Sequence, residues 1–539
     1  MTQAMASESL LIQAGLHSGL FDNDQVTRLR PQARARRQNL VEALSAEMSL
    51  PLTAFYLALS EMRGLPFARI PAWRAEETLL ARLPATLLKR HPMAPLVSPE
   101  GVTHLATANP DDALSIETAR RVAGALPLAI AEPEALTTLL VRLRAKDMRH
   151  DYEGEAEDPV KLFEHIVREA FLRRASDIHI EAIHEGARVR LRVDGRLETV
   201  GALLSKPLGD ALLSRVKVLS GMDIAEARAP QDGSLIYTSE NGDSIEMRVA
   251  SAPIKFGERL TLRVMKSDPN RQKLDALGLP PQMTARLREA LSHPHGIVLV
   301  TGPTGSGKST TLYCALRELD ADSLNILTAE DPIEQLIPGV SQVQVNAKVS
   351  FGDALRSFLR HDPDVILVGE IRDLDTANVA LKAAVTGHMV LSTLHTNSAP
   401  GAVTRLTDIG CERFMLGATL RGILAQRLVR MLCPHCRKKQ DADAATLRLL
   451  GEPDDAKIAI HTPTGCPRCL GSGYRGRIGL YEAMWVDADI AEAISSGAGE
   501  REIAAAARDY WRLADDARQK VREGLTSVQE VRMFLEDDL

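Results

Sequence analysis

The chain has 539 residues, enough for roughly three or four domains, and its 45% hydrophobic and 25% charged content excludes a disordered polymer. A formal net charge of -6 and a pI near 6.2 count against a nucleic-acid binder, which is usually basic overall or in one domain. No apolar run reaches the ~18 residues that span a bilayer, and no basic residue precedes Arg28 to start a secretory leader. The expectation is a cytoplasmic protein whose membrane contacts are made through partners.

Residues 1–145 are rich in Leu and Ala and carry no chemical motif, which suits a partner-docking domain, helical or α+β. Leu40, Val41, Leu44 and Met48 follow helical spacing. Five arginines between Arg28 and Arg37 form either a solvated linker or a basic arm for anionic lipid or an acidic partner. Asp147, Asp151, Glu153, Glu155, Glu157 and Asp158 mark an acidic linker over 146–158.

A second unit, α+β in character, is expected over 159–266. Leu162, Ile166 and Ala170 lie on one helical face. Ile178–Glu181 and Val189–Val193 alternate as strands, and the second runs into the turn dipeptide Asp194-Gly195. Leu235–Thr238, Ile245–Ala250 and Leu260–Met265 also read as strands. A linker over 267–285 is expected to hinge this unit to the next.

From residue 286 to 430 apolar strands alternate with helices: Ile297–Val300, Ile326-Leu327, Val365–Val368 and Met389–Thr393. Short, nearly all-apolar strands in such alternation imply an α/β fold with a parallel sheet covered on both faces. A module at 431–480 and a helical segment at 481–539 complete the chain.

The chemistry starts at Gly302-Pro303-Thr304-Gly305-Ser306-Gly307-Lys308-Ser309, a GxxxxGK[ST] sequence between an expected strand and an expected helix. Glycines let backbone amides wrap phosphate oxygens, and the helix N-terminus adds positive potential. Lys308 is expected on the β- and γ-phosphates of ATP, the Ser309 hydroxyl on Mg²⁺, and Thr310 beside them. Downstream, Val365–Val368 leads to Gly369 and Glu370. Gly369 stands where an aspartate usually precedes the glutamate, so Glu370 is left to act alone on Mg²⁺ or on the attacking water. Glu330-Asp331-Pro332-Ile333-Glu334 clusters carboxylates just past another strand. Glu334 is the first choice for the base that activates water, and Glu330 the second. His388 and His395 bracket one apolar strand, and His388 is taken as a catalytic candidate.

The six cysteines are too few for a disulfide scaffold. Cys433/Cys436 and Cys466/Cys469 are two CxxC pairs separated by 29 residues, the spacing of a closed, structural Cys₄ zinc site. Cys314 and Cys411 stand alone and read as core residues.

In order, the P-loop, Glu330–Glu334, Val368-Gly369-Glu370-Ile371-Arg372-Asp373 and Thr386–Asn397 resemble the secretion ATPase superfamily, the hexameric motors of type II secretion and type IV pilus assembly. The resemblance covers about residues 160 to 539. Within it also match Ala175–Glu181, Arg192–Gly195, Pro230–Gly233, Arg248-Val249 and Gln426–Arg430. It implies a RecA-like ATPase domain preceded by a smaller, PAS-like α+β domain that covers the nucleotide. It also implies arginines from that smaller domain on the phosphates, for which Arg192 and Arg215 are the best-matching positions. The implied partners are five further copies in a homohexamer, an inner-membrane platform protein and a membrane-anchored partner with a cytoplasmic domain, with no nucleic acid. The short cysteine module, the segment Gly524–Val531 and the lack of a clear repeated cyclic-di-GMP motif favour type II secretion. Type IV pilus extension is the alternative.

Overall fold

The computed structural model describes residues 6–36, 38–70, 72–147, 158–238, 244–265 and 273–536. The chain divides into two units, Met1–Lys266 with Thr464–Gly473, and Ser267–Pro463 with Tyr474–Leu539.

The first unit opens with four helices, Glu8–His17, Asn23–Ala35, Leu40–Met48 and Leu52–Arg63. The third follows the expected apolar spacing. Its N-cap Asn39 accepts the Val41 N–H, and Ser49 ends it in the left-handed conformation. The arginine-rich stretch is not a linker. Arg28, Arg30 and Arg34 project from the helix Asn23–Ala35, which buries Val26, Leu29 and Ala33 on its other face. Arg37 lies outside the described residues. Four short strands follow: β1 (Arg74–Ala75), β2 (Met93–Val97), β3 (Thr103–Thr107) and β4 (Leu128–Ile130), in that order across one sheet.

Six strands form an antiparallel sheet next: β5 (Asp177–Ile183), β6 (Gly186–Val193), β7 (Arg196–Leu204), β8 (Gln231–Thr238), β9 (Ser244–Ile254) and β10 (Gly257–Met265). Their order is β7-β6-β5-β10-β9-β8. Asp194 and Gly195, both at positive φ, form the two-residue turn between β6 and β7, as the dipeptide predicts. The helices Pro159–Leu172 and Lys206–Leu219 bury Phe163, Ile166, Leu212 and Val216 with Ile178, Leu191 and Met247 of the sheet. Of the expected acidic linker, Lys146 and Asp147 end the helix Pro133–Asp147, Asp158 caps the helix Pro159–Leu172, and 148–157 lie outside the described residues.

A buried polar cluster ties that second helix to the preceding segment. Thr53 Oγ1 donates to Glu132 at 2.9 Å, Arg173 donates to Thr53 at 2.9 Å and to Glu169 at 2.7 Å, and His165 pairs with Glu134 at 2.7 Å. Burial, then the Glu169 charge, pushes the Glu132 carboxyl up to about 7. Burial opposes a charge on His165, but its bond to Glu134 outweighs this and raises its pKa. Both groups bind protons more tightly folded than unfolded, so their stabilisation is full at low pH. The Glu132 contribution is lost as pH rises toward about 7, and that of His165 as pH rises through its raised folded pKa. Stability, read as melting temperature, should fall between about pH 5 and pH 7 by up to roughly 1.4 kcal/mol per pH unit through Glu132. Glu132→Gln should flatten that slope. An identical slope in the variant would contradict the assignment.

In the second unit the ATPase sheet contains β11 (Gly296–Thr301), β12 (Ile326–Glu330), β13 (Ser341–Gln344), β14 (Val365–Val368), β15 (Met389–Leu394), β16 (Leu420–Leu432) and, after the excursion β17 (Lys438–Asp441) and β18 (Ala459–Thr462), β19 (Tyr474–Trp485). The order is β13-β12-β14-β15-β11-β16-β19, parallel except for the last pair. Every residue of β11, β12, β14 and β15 is buried. Leu355, Phe358, Ala380 and Leu416 pack one side, and Met283, Leu287, Leu312 and Leu316 the other. This is the expected doubly covered sheet. Cys314 and Cys411 are in these cores, and burial pushes both thiols up to about 11.

Two expected boundaries move. Residues 267–272 of the hinge lie outside the described residues, but Leu274–Leu277 is a 3-10 turn and Pro281–Leu291 a helix, with Leu274 and Met283 in the ATPase core. The module limits at 431 and 480 cut through β16 and β19, which pair with each other in the ATPase sheet. The helices Ala488–Ser496, Glu500–Ala506, Leu513–Arg522 and Val528–Glu536 make up the expected helical segment. Among the described residues no helix is long and apolar enough to cross a membrane.

Candidate active site

β11 delivers the chain to the P-loop, and the helix Lys308–Glu318 carries it away. Gly307 caps that helix at φ 91, in the left-handed region that favours glycine. A Cβ on Gly302 would stand 2.4 Å from the Gln426 carbonyl, so the loop needs glycine to lie this close to β16. Lys308 is buried under the loop rather than exposed on it. Its Nζ donates to the carbonyls of Gly302 at 2.8 Å and Pro303 at 3.2 Å. Burial lowers its pKa, and the Glu370 carboxylate pulls it back up. The Ser306 hydroxyl is buried without a hydrogen-bond partner. An ammonium held against loop carbonyls, a partnerless hydroxyl and a helix N-terminus fit a phosphate chain. Ser309, in the first helical turn, is the residue that would hold magnesium there.

Glu370 lies just past β14, its side chain 12% exposed. It pairs with Arg372, and His395 Nε2 is 3.4 Å away. Burial and the Lys308 charge lower the His395 pKa. The glycine before Glu370 has a physical reason. The Gly369 N–H donates to Ala329 at 2.8 Å, and a Cβ at 369 would be 3.2 Å from that carbonyl and 3.3 Å from the Phe351 ring. An aspartate there would have to push neighbouring chain aside.

Glu330 departs from the role of base. It is buried at the end of β12 and accepts from Tyr313, from Thr328 at 2.6 Å and from Gln342 at 2.9 Å. Three donors on one carboxylate make it an anchor for the strand end. Tyr313 belongs to the helix after the P-loop, and its hydroxyl also accepts the Glu334 N–H at 3.1 Å. Burial, with Glu330 adding to it, raises the Tyr313 pKa. The Glu334 side chain is exposed.

His388 also departs from expectation. β15 runs parallel to β11, and Gly296, which starts β11, donates to the His388 carbonyl. The P-loop follows the other end of β11. Within one chain His388 is therefore at the far end of the sheet, its Nδ1 against the Ala383 carbonyl at 2.9 Å. His395, at the C-terminal end of β15, is on the P-loop side. Thr396 fastens that end: its N–H donates to Thr301 Oγ1 at 2.8 Å.

Arg192 and Arg215 belong to the first unit. Arg192 donates to the Gly195 carbonyl at 3.0 Å and lies 3.6 Å from Asp177. The Arg215 Nε is buried without a partner.

The four paired cysteines come together, with all four sulfurs within 4.8 Å of one another. Thiolates at ~2.3 Å around a tetrahedral zinc would be ~3.8 Å apart, and Cys466 and Cys469 are separated by 3.7 Å. Each pair turns the same way: Cys433 O accepts the Cys436 N–H at 3.3 Å, and Cys466 O accepts the Cys469 N–H at 3.2 Å. Cys469 Sγ receives the N–H groups of Cys466 and Gly473, each at 3.2 Å, which suits a thiolate. The donor set fits structural zinc and leaves no ligand position for water.

Comparison with known proteins follows the same lines. Residues 153–533 match the family described as type II/IV secretion system protein, and residues 63–150 match the MshEN domain. The chain is 47% identical over 383 residues to the type II secretion system ATPase E of Vibrio cholerae, covering 70% of this chain and 76% of that one. It is 44% identical over 382 residues to the type IV pilus assembly ATPase TfpB of Acinetobacter baylyi, covering 69% and 64%. The ATPase DotB of Legionella pneumophila aligns with TM-score 0.54 at 24% identity, over 72% of this chain and 98% of its own, and shares the fold.

Proposed function

This chain belongs to the type II/IV secretion system protein family and is a P-loop ATPase, and from that premise we propose that it is the motor of a type II secretion system, hydrolysing ATP to drive pseudopilus assembly and protein export. The observation that carries the chemistry is the buried Lys308 ammonium in a P-loop faced by Glu370 and His395. The 47% identity to a type II secretion ATPase favours the assignment to secretion. The 44% identity to a pilus assembly ATPase supports pilus extension as the second reading.

Hydrolysis of this kind depends on positioning and charge neutralisation. Gly302 to Gly307 and the helix N-terminus hold the phosphates, and Lys308 meets the charge at their end. Magnesium, held by Ser309, supplies further neutralisation when bound. Glu370, close enough to Lys308 to act on its charge, orients the attacking water. Glu334 is the other acid of the site able to take its proton. Arg192 and Arg215 reach the phosphates from the first unit, where a guanidinium stays charged and binds oxygen in pairs. Six copies form a ring that works against an inner-membrane platform protein and a membrane-anchored partner, from the cytoplasmic side.

Glu370→Gln and Glu334→Gln should keep ATP binding and lose turnover, by about 10²-fold for whichever acid takes the proton. Near-normal hydrolysis in both variants would remove both acids from the mechanism. Arg192→Ala or Arg215→Ala should lower kcat more than it raises KM for ATP, if these groups meet charge that develops in the transition state. A rise in KM at normal kcat would make them ground-state binders instead.

A further inference from the structure

Gln426 lies in β16, one residue past the pairing of Ala425 with Thr301, and so comes level with the start of the P-loop. Its side chain is buried with both ends satisfied. Oε1 accepts from Thr311 Oγ1 at 2.8 Å, and Nε2 donates to the Ser306 carbonyl at 2.6 Å. Thr311 is itself buried in the helix that follows the loop. An amide has one donor end and one acceptor end, and the Ser306 carbonyl can only accept, so it holds the donor end toward the loop and leaves the amide oxygen to the Thr311 hydroxyl.

The consequence follows from the geometry of a peptide unit. In a planar trans peptide the C=O and the next N–H point in opposite directions. Holding the Ser306 carbonyl against β16 turns the Gly307 N–H away from the strand. Gly307 has no side chain to resist this, and a Cβ there would be 3.1 Å from Gln426 Nε2. The backbone of β16 is pressed on the loop at the same place. Arg427 steadies it, donating to the Gln426 carbonyl at 3.0 Å and to Asn397 Oδ1 at 3.0 Å.

We propose that Gln426 is a positioning residue for nucleotide binding, which, with Thr311, orients the Ser306–Gly307 peptide so that the Gly307 amide faces the phosphates. The inference rests on ATP binding at the P-loop, and its test separates the two. Full-length Gln426→Met, Gln426→Glu, Thr311→Val, Thr311→Ser and Lys308→Ala are compared for ATP turnover, for binding of a fluorescent ADP analogue and for melting temperature without nucleotide.

Gln426→Met fills the space but makes neither bond. It should raise Kd and KM about tenfold with kcat within a few-fold of wild type. Gln426→Glu should be worse, because a carboxylate repels the Ser306 carbonyl and the phosphates, and should recover affinity as pH falls and the acid regains a donor. Thr311→Val should weaken binding in the same direction, and Thr311→Ser, which keeps the hydroxyl, should restore it. A merely structural glutamine would lower melting temperature without this split between KM and kcat. Normal nucleotide affinity in Gln426→Met, or equal affinity in Thr311→Val and Thr311→Ser, would overturn the proposal while a defective Lys308→Ala leaves the P-loop assignment standing. If Gln426→Met does not fold, the two Thr311 variants decide. Normal binding and turnover in Lys308→Ala would overturn the P-loop assignment itself.

Discussion

Lys308→Ala is expected to reduce ATP hydrolysis by about 10²-fold or more while leaving the melting temperature close to that of the wild type. The ammonium lies under the loop with its hydrogens on the Gly302 and Pro303 carbonyls. Those two bonds shape the loop locally, and the strands and helices around it pack without them. Charge is the larger part of its contribution. Burial lowers the Lys308 pKa and Glu370 opposes that, so the group is a cation enclosed by protein and meets anionic phosphate with little solvent screening. Arg427 adds a second positive charge nearby. Removing Lys308 leaves Glu370 facing the phosphates with less compensation, which works against binding as well as turnover. Phosphate release by purified, folded variant at saturating Mg-ATP is the check. Turnover near the wild-type rate would refute the P-loop chemistry.

Cys466→Ser is expected to abolish export while basal ATP hydrolysis stays at a substantial fraction of wild type. Near the cysteines, β17 and β18 form a two-stranded antiparallel sheet, and β17 is exposed along its length. Two strands alone are marginal. Leu450 and Ile460 are buried in a core shared with Val429 and Leu480 of the sheet and Ala517, Val521, Val531 and Leu535 of the last helices. Zinc binding would therefore supply much of the local folding free energy around the cysteines, and a lost thiolate should loosen that region first. None of the four cysteines is among the residues placed around the P-loop, so hydrolysis should survive. Metal analysis should find about one zinc per chain in wild type. Absence of zinc in protein purified without chelators, or normal export by the variant, would sink the proposal.

Some of this could be read from residues alone. The P-loop was legible because its pattern sits between a strand of apolar residues and a helix, and β11, β14 and β15 were legible because they are buried on both faces. β16 was not. Arg421, Arg427 and Arg430 interrupt its apolar pattern, yet Gln426 within it is buried, its amide used up by the loop. The sequence Gln426–Arg430 marked the place, but only the pairing of β16 with β11 shows what it touches. The two histidines beside β15 look equivalent in sequence. Strand direction alone separates them, sending His395 toward the P-loop and His388 away. Glu330 and Glu370 likewise both read as strand-end acids. Tyr313, Thr328 and Gln342 occupy the first, while the second faces Lys308. The sheet β1–β4 escaped notice because strands of two to five residues carry too little alternation to stand out among Leu and Ala.

The most direct test of the central claim is protein export by a strain from which this gene is deleted, measured beside its surface pili. The account predicts that secreted enzymes accumulate inside the cells and that wild-type protein, but not Lys308→Ala, restores their release while pili are unaffected throughout. Normal export with pili lost would contradict it and assign the motor to pilus assembly.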